Sequence, residues 1–463
     1  MATELASALR SFVSEAAKAY EVPGISVGIL HQGSETYAPH GVTNVDHPVP
    51  VDEGTLFHIA SATKSFTATA VLNLVAAGRV DLDAPVRRYV PELVLADDEH
   101  ADRITVRNLL NHTAGLDWNL IDTDEGDGSL AGFVAKLGTL SLVAEPGARA
   151  SYSQAGYNIL GRVIENVTGR PYEKAVADLV LAPLALDDTV FDLDEVVRRK
   201  FAIGHKRTDD GALQTATPWK AYPAGARGNN PGGGAVSTAR DLLRWGRFHL
   251  EAEGSVSADE AVLSLADRRL MREPSAELRG SSLGDALGFG WFLKTIAGVP
   301  TFGHGGSGNG QFAEVLVVPD REFAVVALSN SPEGYQLNQA VVKWALEHCL
   351  GVVEADPEPV AYDPARNGDV VGRYEIDAMN LDIADDGKRL TLAVEIKPEI
   401  RSAAEADMPP DIPASAMGFL AEEGDDYIVT EGEMKGQRGF FSRDESGAVV
   451  GIDLAGRIFG RSA

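Results

Sequence analysis

Ser61 and Lys64 stand three residues apart in Ser61-Ala62-Thr63-Lys64, where a helical apolar pattern begins. On a helix that spacing puts a hydroxyl and an amine on one face. An unassisted serine hydroxyl is a poor nucleophile and needs a base within reach. A lysine serves as that base only when part of its population is neutral, which takes burial or a neighbouring cation. The apolar flanks Phe57, Ile59, Ala60, Phe66, Ala68, Ala70 and Val71 suit burial. The competing assignment is an N-cap serine beside a solvated lysine, so the pair needs support from elsewhere in the chain.

Tyr152-Ser153-Gln154 follows Glu145-Pro146-Gly147 and precedes an apolar helical pattern from Ala155 to about Val167. A tyrosine beside a lysine can carry a proton from nucleophile to leaving group. Phe302-Gly303-His304-Gly305-Gly306-Ser307-Gly308 ends a strand pattern. Its glycines let a substrate backbone approach and leave main-chain N–H groups free to donate. His304 could polarise, protonate or orient a substrate. His112, in Asn111-His112-Thr113, is assigned a structural role, its nitrogens satisfying nearby backbone. The ten histidines form no H-x-H or H-x-x-x-H pair, so no metal site is expected. Lys294-Thr295-Ile296 matches only the first two letters of a K-T-G motif and is set aside.

The elements that must position these residues are legible in outline. Leu5, Leu9, Phe12, Val13, Ala16 and Tyr20 predict an amphipathic helix over residues 4–20, stopped by Pro23-Gly24. Ile25, Val27 and Ile29, with Glu35–Ala38 across the turn Gln32-Gly33-Ser34, predict a hairpin. A helix runs from Ser61 to about Ala77, and residues 84–250 read as mainly helical with long loops. Short strands are predicted at 287–293, 300–303, 312–318 and 323–329, then a helix over Asn338–Leu350. The sum is an α+β catalytic domain over residues 1–350, an antiparallel sheet flanked by helices with a mainly helical subdomain. The Pro- and acid-rich residues 351–367 read as a linker. Residues 368–463 carry six short strand patterns separated by Gly/Asp turns, which predict a small antiparallel β-barrel.

The 463 residues carry 41 basic and 68 acidic side chains, a net charge of −27. That balance excludes nucleic acid and anionic membrane as partners, since both require positive surface. One cysteine, Cys349, permits no intrachain disulfide. No segment approaches the roughly 20 apolar residues of a membrane span, and the N-terminus shows no basic leader pattern. A cytoplasmic location is expected.

S-x-x-K, a tyrosine triplet, and a basic residue with glycines on a strand occur in the motif order of serine β-lactamases and penicillin-binding proteins. The chain resembles that superfamily, in the branch of class C β-lactamases, D-alanyl-D-alanine carboxypeptidases, D-aminopeptidases and related esterases. The likeness covers roughly residues 5–350 and includes Ile104–Leu116, Pro146–Gly169, Gly232–Asp241 and Gly288-Phe289-Gly290-Trp291. It implies that Ser61 is acylated, that Lys64 and Tyr152 share proton transfer, and that His304-Gly305-Gly306 stands where other members carry Lys-Thr-Gly. It further implies an oxyanion hole from the N–H groups of Ser61 and Ser307. Gln154 departs from the family's Tyr-x-Asn by one methylene, so its reach to lysine and substrate is altered. The C-terminal barrel resembles the lipocalin-like domain of some D-aminopeptidases and of penicillin-binding-protein-type thioesterases that cyclise nonribosomal peptides. Arg457 and Arg461 near the chain end could fork a substrate carboxylate.

The expected activity is a serine hydrolase or acyltransferase acting through an acyl-enzyme on peptide-like substrates with D-residues, free or presented by a carrier protein. No cofactor is expected. The alternatives are a carboxylesterase on the same scaffold and a binding module without turnover.

Overall fold

A computed structural model describes residues 2–120, 128–208, 210–216, 227–250, 257–279, 281–355, 357–403, 411–432 and 434–462. Helix α1 (Ala2–Ala19) leads into strands β1 (Gly24–His31) and β2 (Ser34–Tyr37). Helices α2 (Thr63–Ala76) and α3 (Gln154–Thr168) lie in the insertion that follows. Strands β3 (Phe292–Ile296), β4 (Val299–Gly308), β5 (Gln311–Val318) and β6 (Phe323–Ser329) precede helix α4 (Gly334–Leu350). The sheet runs β2-β1-β6-β5-β4-β3, antiparallel throughout, with short strands added at its margins.

Both faces of this sheet are covered, so its central strands are mainly apolar. Every residue of β6 is buried, and so is every residue of β1 but the last. Alternation still sorts the side chains. Val27, Ile29, Leu316 and Val325 pack with Leu9 and Val13 of α1 and Leu337 and Val341 of α4. Leu30, Val315 and Val326 pack on the opposite face with Phe66, Val71 and Trp245. Each such fully buried aliphatic side chain contributes about 1.5–3 kcal/mol.

α2 is buried on all sides over Thr63–Leu72, which strips Lys64 of water. A 3-10 turn, Ala60–Ala62, precedes it, so Ser61 sits just ahead of the helix rather than within it. Ala60 takes a left-handed φ of +43°, a conformation that costs a non-glycine residue about 1 kcal/mol or more. Thr63 helps hold the turn: its hydroxyl donates to Ala60 O (2.6 Å) and accepts from Ala235 N–H (3.1 Å).

Besides the Ser61 turn, two further features differ from the sequence expectation. β4 extends through the glycines to Gly308, because pairing with β5 from Phe302↔Val317 to Gly308↔Gln311 holds residues of poor strand propensity extended. The C-terminal barrel closes with eight strands, not six, its first strand (Gly372–Glu375) pairing with its last (Arg457–Arg461). The additional strands are Met379–Asp385, dense in turn-forming Asn and Asp, and Ile412–Phe419, which carries a proline. Tyr374, Leu381, Leu392, Tyr427, Phe441 and Phe459 are among the side chains that fill its interior, as the bore of an eight-stranded barrel allows. No described helix is long and apolar enough to cross a membrane.

Candidate active site

Lys64 Nζ, fully buried, lies 3.3 Å from Ser61 Oγ. It donates to the side-chain carbonyl of Gln154 (2.5 Å) and to Gly232 O (2.7 Å). Both oxygens only accept, so they consume two N–H groups and leave the third direction of the amine on Ser61. In a neutral lysine that direction is the lone pair. Burial, and secondarily the positive charge of Arg457, hold the Lys64 amine well below its ordinary value. The geometry therefore aims an amine of lowered pKa at a hydroxyl.

The longer arm of Gln154 is accommodated by an absence. A Cβ on residue 232 would stand 2.2 Å from Gln154 Nε2. Gly232 thus provides both the space for the glutamine amide and a carbonyl for the lysine. Gln154 itself opens α3, capped by Ser153, whose Oγ accepts from Gly156 N–H at 3.2 Å. Its backbone N–H donates to Trp118 O (2.6 Å).

The Tyr152 ring lies beneath the lysine, 4.8 Å from Nζ to its centroid. His112 packs against that ring at 4.5 Å, and its Nδ1 accepts from Ser153 N–H (3.0 Å). With Nδ1 an acceptor and the ring buried, His112 is neutral, its pKa driven far down first by burial and then by Lys64. It buttresses the Tyr152 loop and keeps its structural role. The barrel completes the support: Tyr152 N–H donates to Gly456 O (2.7 Å), and the Arg457 guanidinium stacks 5.0 Å over the Tyr152 ring and 5.7 Å over Trp118.

The third element is the free edge of β4. β3 pairs with β4 only as far as Phe292↔Gly303, so residues 304–308 have β5 on one side and the Ser61 turn on the other. The approach is close: a Cβ on residue 306 would sit 2.0 Å from Ile59 O and 3.0 Å from Ser61 N. Only glycine fits there. His304 is buried against Phe292, ring centroids 4.5 Å apart. Its Nδ1 faces Gly305 O at 2.6 Å. A carbonyl cannot donate, so Nδ1 carries the proton and Nε2 is left as an acceptor. Burial, with Lys64 adding, pushes the His304 pKa to about 3. His304 is thus neutral in ordinary buffers. A neutral ring with a free Nε2 suits orienting a substrate or accepting from it better than protonating it.

One cleft of about 410 Å³ is lined by Ser61, Tyr152, Gln154, His304, Gly305, Gly306, Ser307 and Arg457, with Lys64 beneath it. Arg461, the other arginine expected at the site, lies elsewhere. It donates to Val371 O (2.7 Å) and Val449 O (3.2 Å) and packs on Tyr374, tying the barrel's own strands together. Sequence reasoning missed Trp118 and Gly232. Gly232 begins a stretch that resembles the family, and Trp118 lies two residues beyond another, which was the available signal. Lys294, set aside above, also lines the cleft, at its rear.

The family model described as Beta-lactamase matches residues 9–347. Penicillin-binding protein 4 of Amycolatopsis lactamdurans is 31% identical over 366 residues, 77% of this chain and 94% of that protein. The crystal structure of SurE with D-Leu superposes with a TM-score of 0.76 at 25% identity, over 99% of this chain and 100% of that one. D-amino acid amidase from Ochrobactrum anthropi SV3, complexed with L-phenylalanine, gives a TM-score of 0.62 at 25% identity, over 74% of this chain and 99% of that one. With the three motif elements assembled around one cleft, the chain belongs to the β-lactamase family, within the superfamily of serine β-lactamases and penicillin-binding proteins.

Proposed function

We propose that this hydrolase works through an acyl-enzyme at Ser61 on peptide-like donors with a D-residue at the scissile carbonyl. The observation that carries the reading is the buried Lys64 amine, fixed by two carbonyls and aimed at Ser61 Oγ. Neutral Lys64 takes the Ser61 proton as Oγ attacks the carbonyl. The N–H groups of Ser61 and Ser307 hold the oxyanion. Tyr152 passes a proton to the leaving group and is reprotonated by the Lys64 ammonium. Lys64 is thus neutral again once the ester has formed and the leaving group has departed. Water then releases an acid, or an amine of the substrate releases an amide or cyclic peptide. The D-configuration rests on the similarity to SurE solved with D-Leu and to a D-amino acid amidase. A donor delivered on a carrier protein reaches the same cleft by the same chemistry.

The test is turnover of peptidyl N-acetylcysteamine thioesters with D- or L-residues at the reacting end. A D-over-L preference of at least about tenfold in kcat/KM is expected, about 1.4 kcal/mol. Equal rates would overturn the stereochemical part of the reading.

Arg457 supplies the cation that the neutral His304 does not. Among the described residues it forms no ion pair, and its Nε is buried without a hydrogen-bond partner. Its position in the cleft wall beside Tyr152 supports a role in receiving a substrate carboxylate. Arg457→Leu should reduce the preference for a carboxylate-bearing donor over its carboxamide about 10- to 100-fold, the range of a charge-assisted hydrogen bond. An unchanged ratio would remove Arg457 from substrate recognition.

A further inference from the structure

We propose that the rear arm of the cleft is a subsite for a primary ammonium group of the acyl donor, held by Glu314. The proposal rests on the acyl-enzyme reading above and names a substrate class for the same site.

The cleft does not stop at the edge of β4. Residues 302, 304 and 306 point to the Ser61 side of the sheet, while 301, 303 and 305 point to the face of α4. At 303 and 305 the residues are glycines, so nothing projects into the passage from one face to the other. Behind the edge the floor is Thr301, Leu316 and Val342, and Glu314 stands beside Gly305. A Cβ on residue 305 would meet Glu314 Oε2 at 3.0 Å, so the glycine lets this carboxyl lie against the strand that borders Ser61.

Charge in the rear arm is unbalanced. Lys294 and Glu354 pair with each other there and cancel. Glu314 receives one hydrogen bond among the described residues, from Gln339 Nε2 to Oε2 at 3.0 Å. An ionised carboxyl offers about four acceptor sites, and Glu314 lines the cleft. Glu314 is half-buried, and among the described residues it has no ion pair of its own, so holding it ionised there carries a cost. Burial lifts the Glu314 pKa to about 7, Lys294 and Gln339 acting the other way. An ammonium ion is the ligand that restores the balance: it donates up to three hydrogen bonds and supplies the missing positive charge. Guanidinium is a poorer match, because its planar fork needs two carboxylate oxygens in line, and Oε2 is already engaged. With Arg457 at the front and Glu314 at the rear, the cleft is bipolar, which suits a donor carrying a carboxylate at one end and an amine at the other.

The test uses D-configured peptidyl thioesters in four forms: a lysine or norleucine side chain, each with a free or acetylated N-terminus. The wild-type protein should prefer a donor with a free amine about 10- to 100-fold in kcat/KM, and the four forms show whether side chain or terminus supplies it. Glu314→Gln should bring that ratio to within about twofold. A wild-type protein indifferent to the amine, or a ratio that survives in Glu314→Gln, overturns the proposal. Labelling of Ser61 by a fluorophosphonate reports on the acyl-enzyme reading separately. Should Glu314→Gln not fold, calorimetry on the wild-type protein decides: pentylammonium must bind and 1-pentanol must not, and equal behaviour of the two overturns the proposal.

Discussion

Ser61→Ala is expected to abolish covalent capture of a fluorophosphonate and to lower turnover of peptidyl thioesters by at least about 10⁴-fold, the scale seen when a covalent nucleophile is removed. The fold should be untouched. The Ser61 side chain is only half-buried, and its contact with Lys64 is its hydrogen bond among the described residues. The turn that carries it is held by Thr63 and Ala235, not by the hydroxyl. Thermal unfolding within a degree or two of wild type, together with loss of labelling, is the result that assigns the chemistry. Peptide mapping that finds the label unchanged in Ser61→Ala would sink the assignment and return the chain to a binding role.

Lys64→Met carries the second largest effect, a loss of about 10³- to 10⁴-fold in acylation. Methionine fills most of the same volume, so packing around α2 survives. The thioether cannot accept the Ser61 proton, and Gln154 and Gly232 lose their donor. Two buried carbonyls left bare cost about 1–3 kcal/mol each, offset in part by removal of an amine that burial disfavours in its charged form. The pH profile distinguishes the base from a structural lysine. Because the Lys64 pKa is lowered in the fold, the ammonium form is inactive and acylation should rise with pH through that depressed value, well below the usual lysine range. His304, titrating near 3, contributes no limb around neutrality. Presteady-state acylation rates against pH should show this limb in the wild type and lose it in Lys64→Met. On donors without a free amine, with which Glu314 makes no charge contact, a limb that persists there would assign the base to another group.

The motif order announced the site, yet its electrostatics were not in the motifs. His304 reads as a basic residue on a strand end. In the fold it is enclosed by Phe292 and held by Gly305 O, and enclosure removes its charge. Gln154 reads as a disrupted Asn. The disruption is absorbed by the missing side chain of Gly232, a contact between residues 78 positions apart. Lys294 reads as a failed motif, and the register of β3 turns it into the rear wall of the cleft. The strand count of the barrel was short because Asn, Asp and Pro suppress a strand pattern that inter-strand hydrogen bonds can nevertheless hold.

The sequence by itself made legible the Ser61–Lys64 pair, the tyrosine loop, the glycine-rich strand and their order, because these depend on local spacing and on periodicity along the chain. It also determined the two-part architecture, since apolar alternation and turn residues are local signals. The tertiary structure alone decided the charge states and the walls. Arg457 and Arg461 are indistinguishable as residues of one C-terminal strand. Four residues at about 3.3 Å each separate a guanidinium stacked on Tyr152 from one spent on barrel carbonyls. That choice is made by closure of the barrel against the Tyr152 loop, through Gly456 O, and no pattern within either segment encodes it.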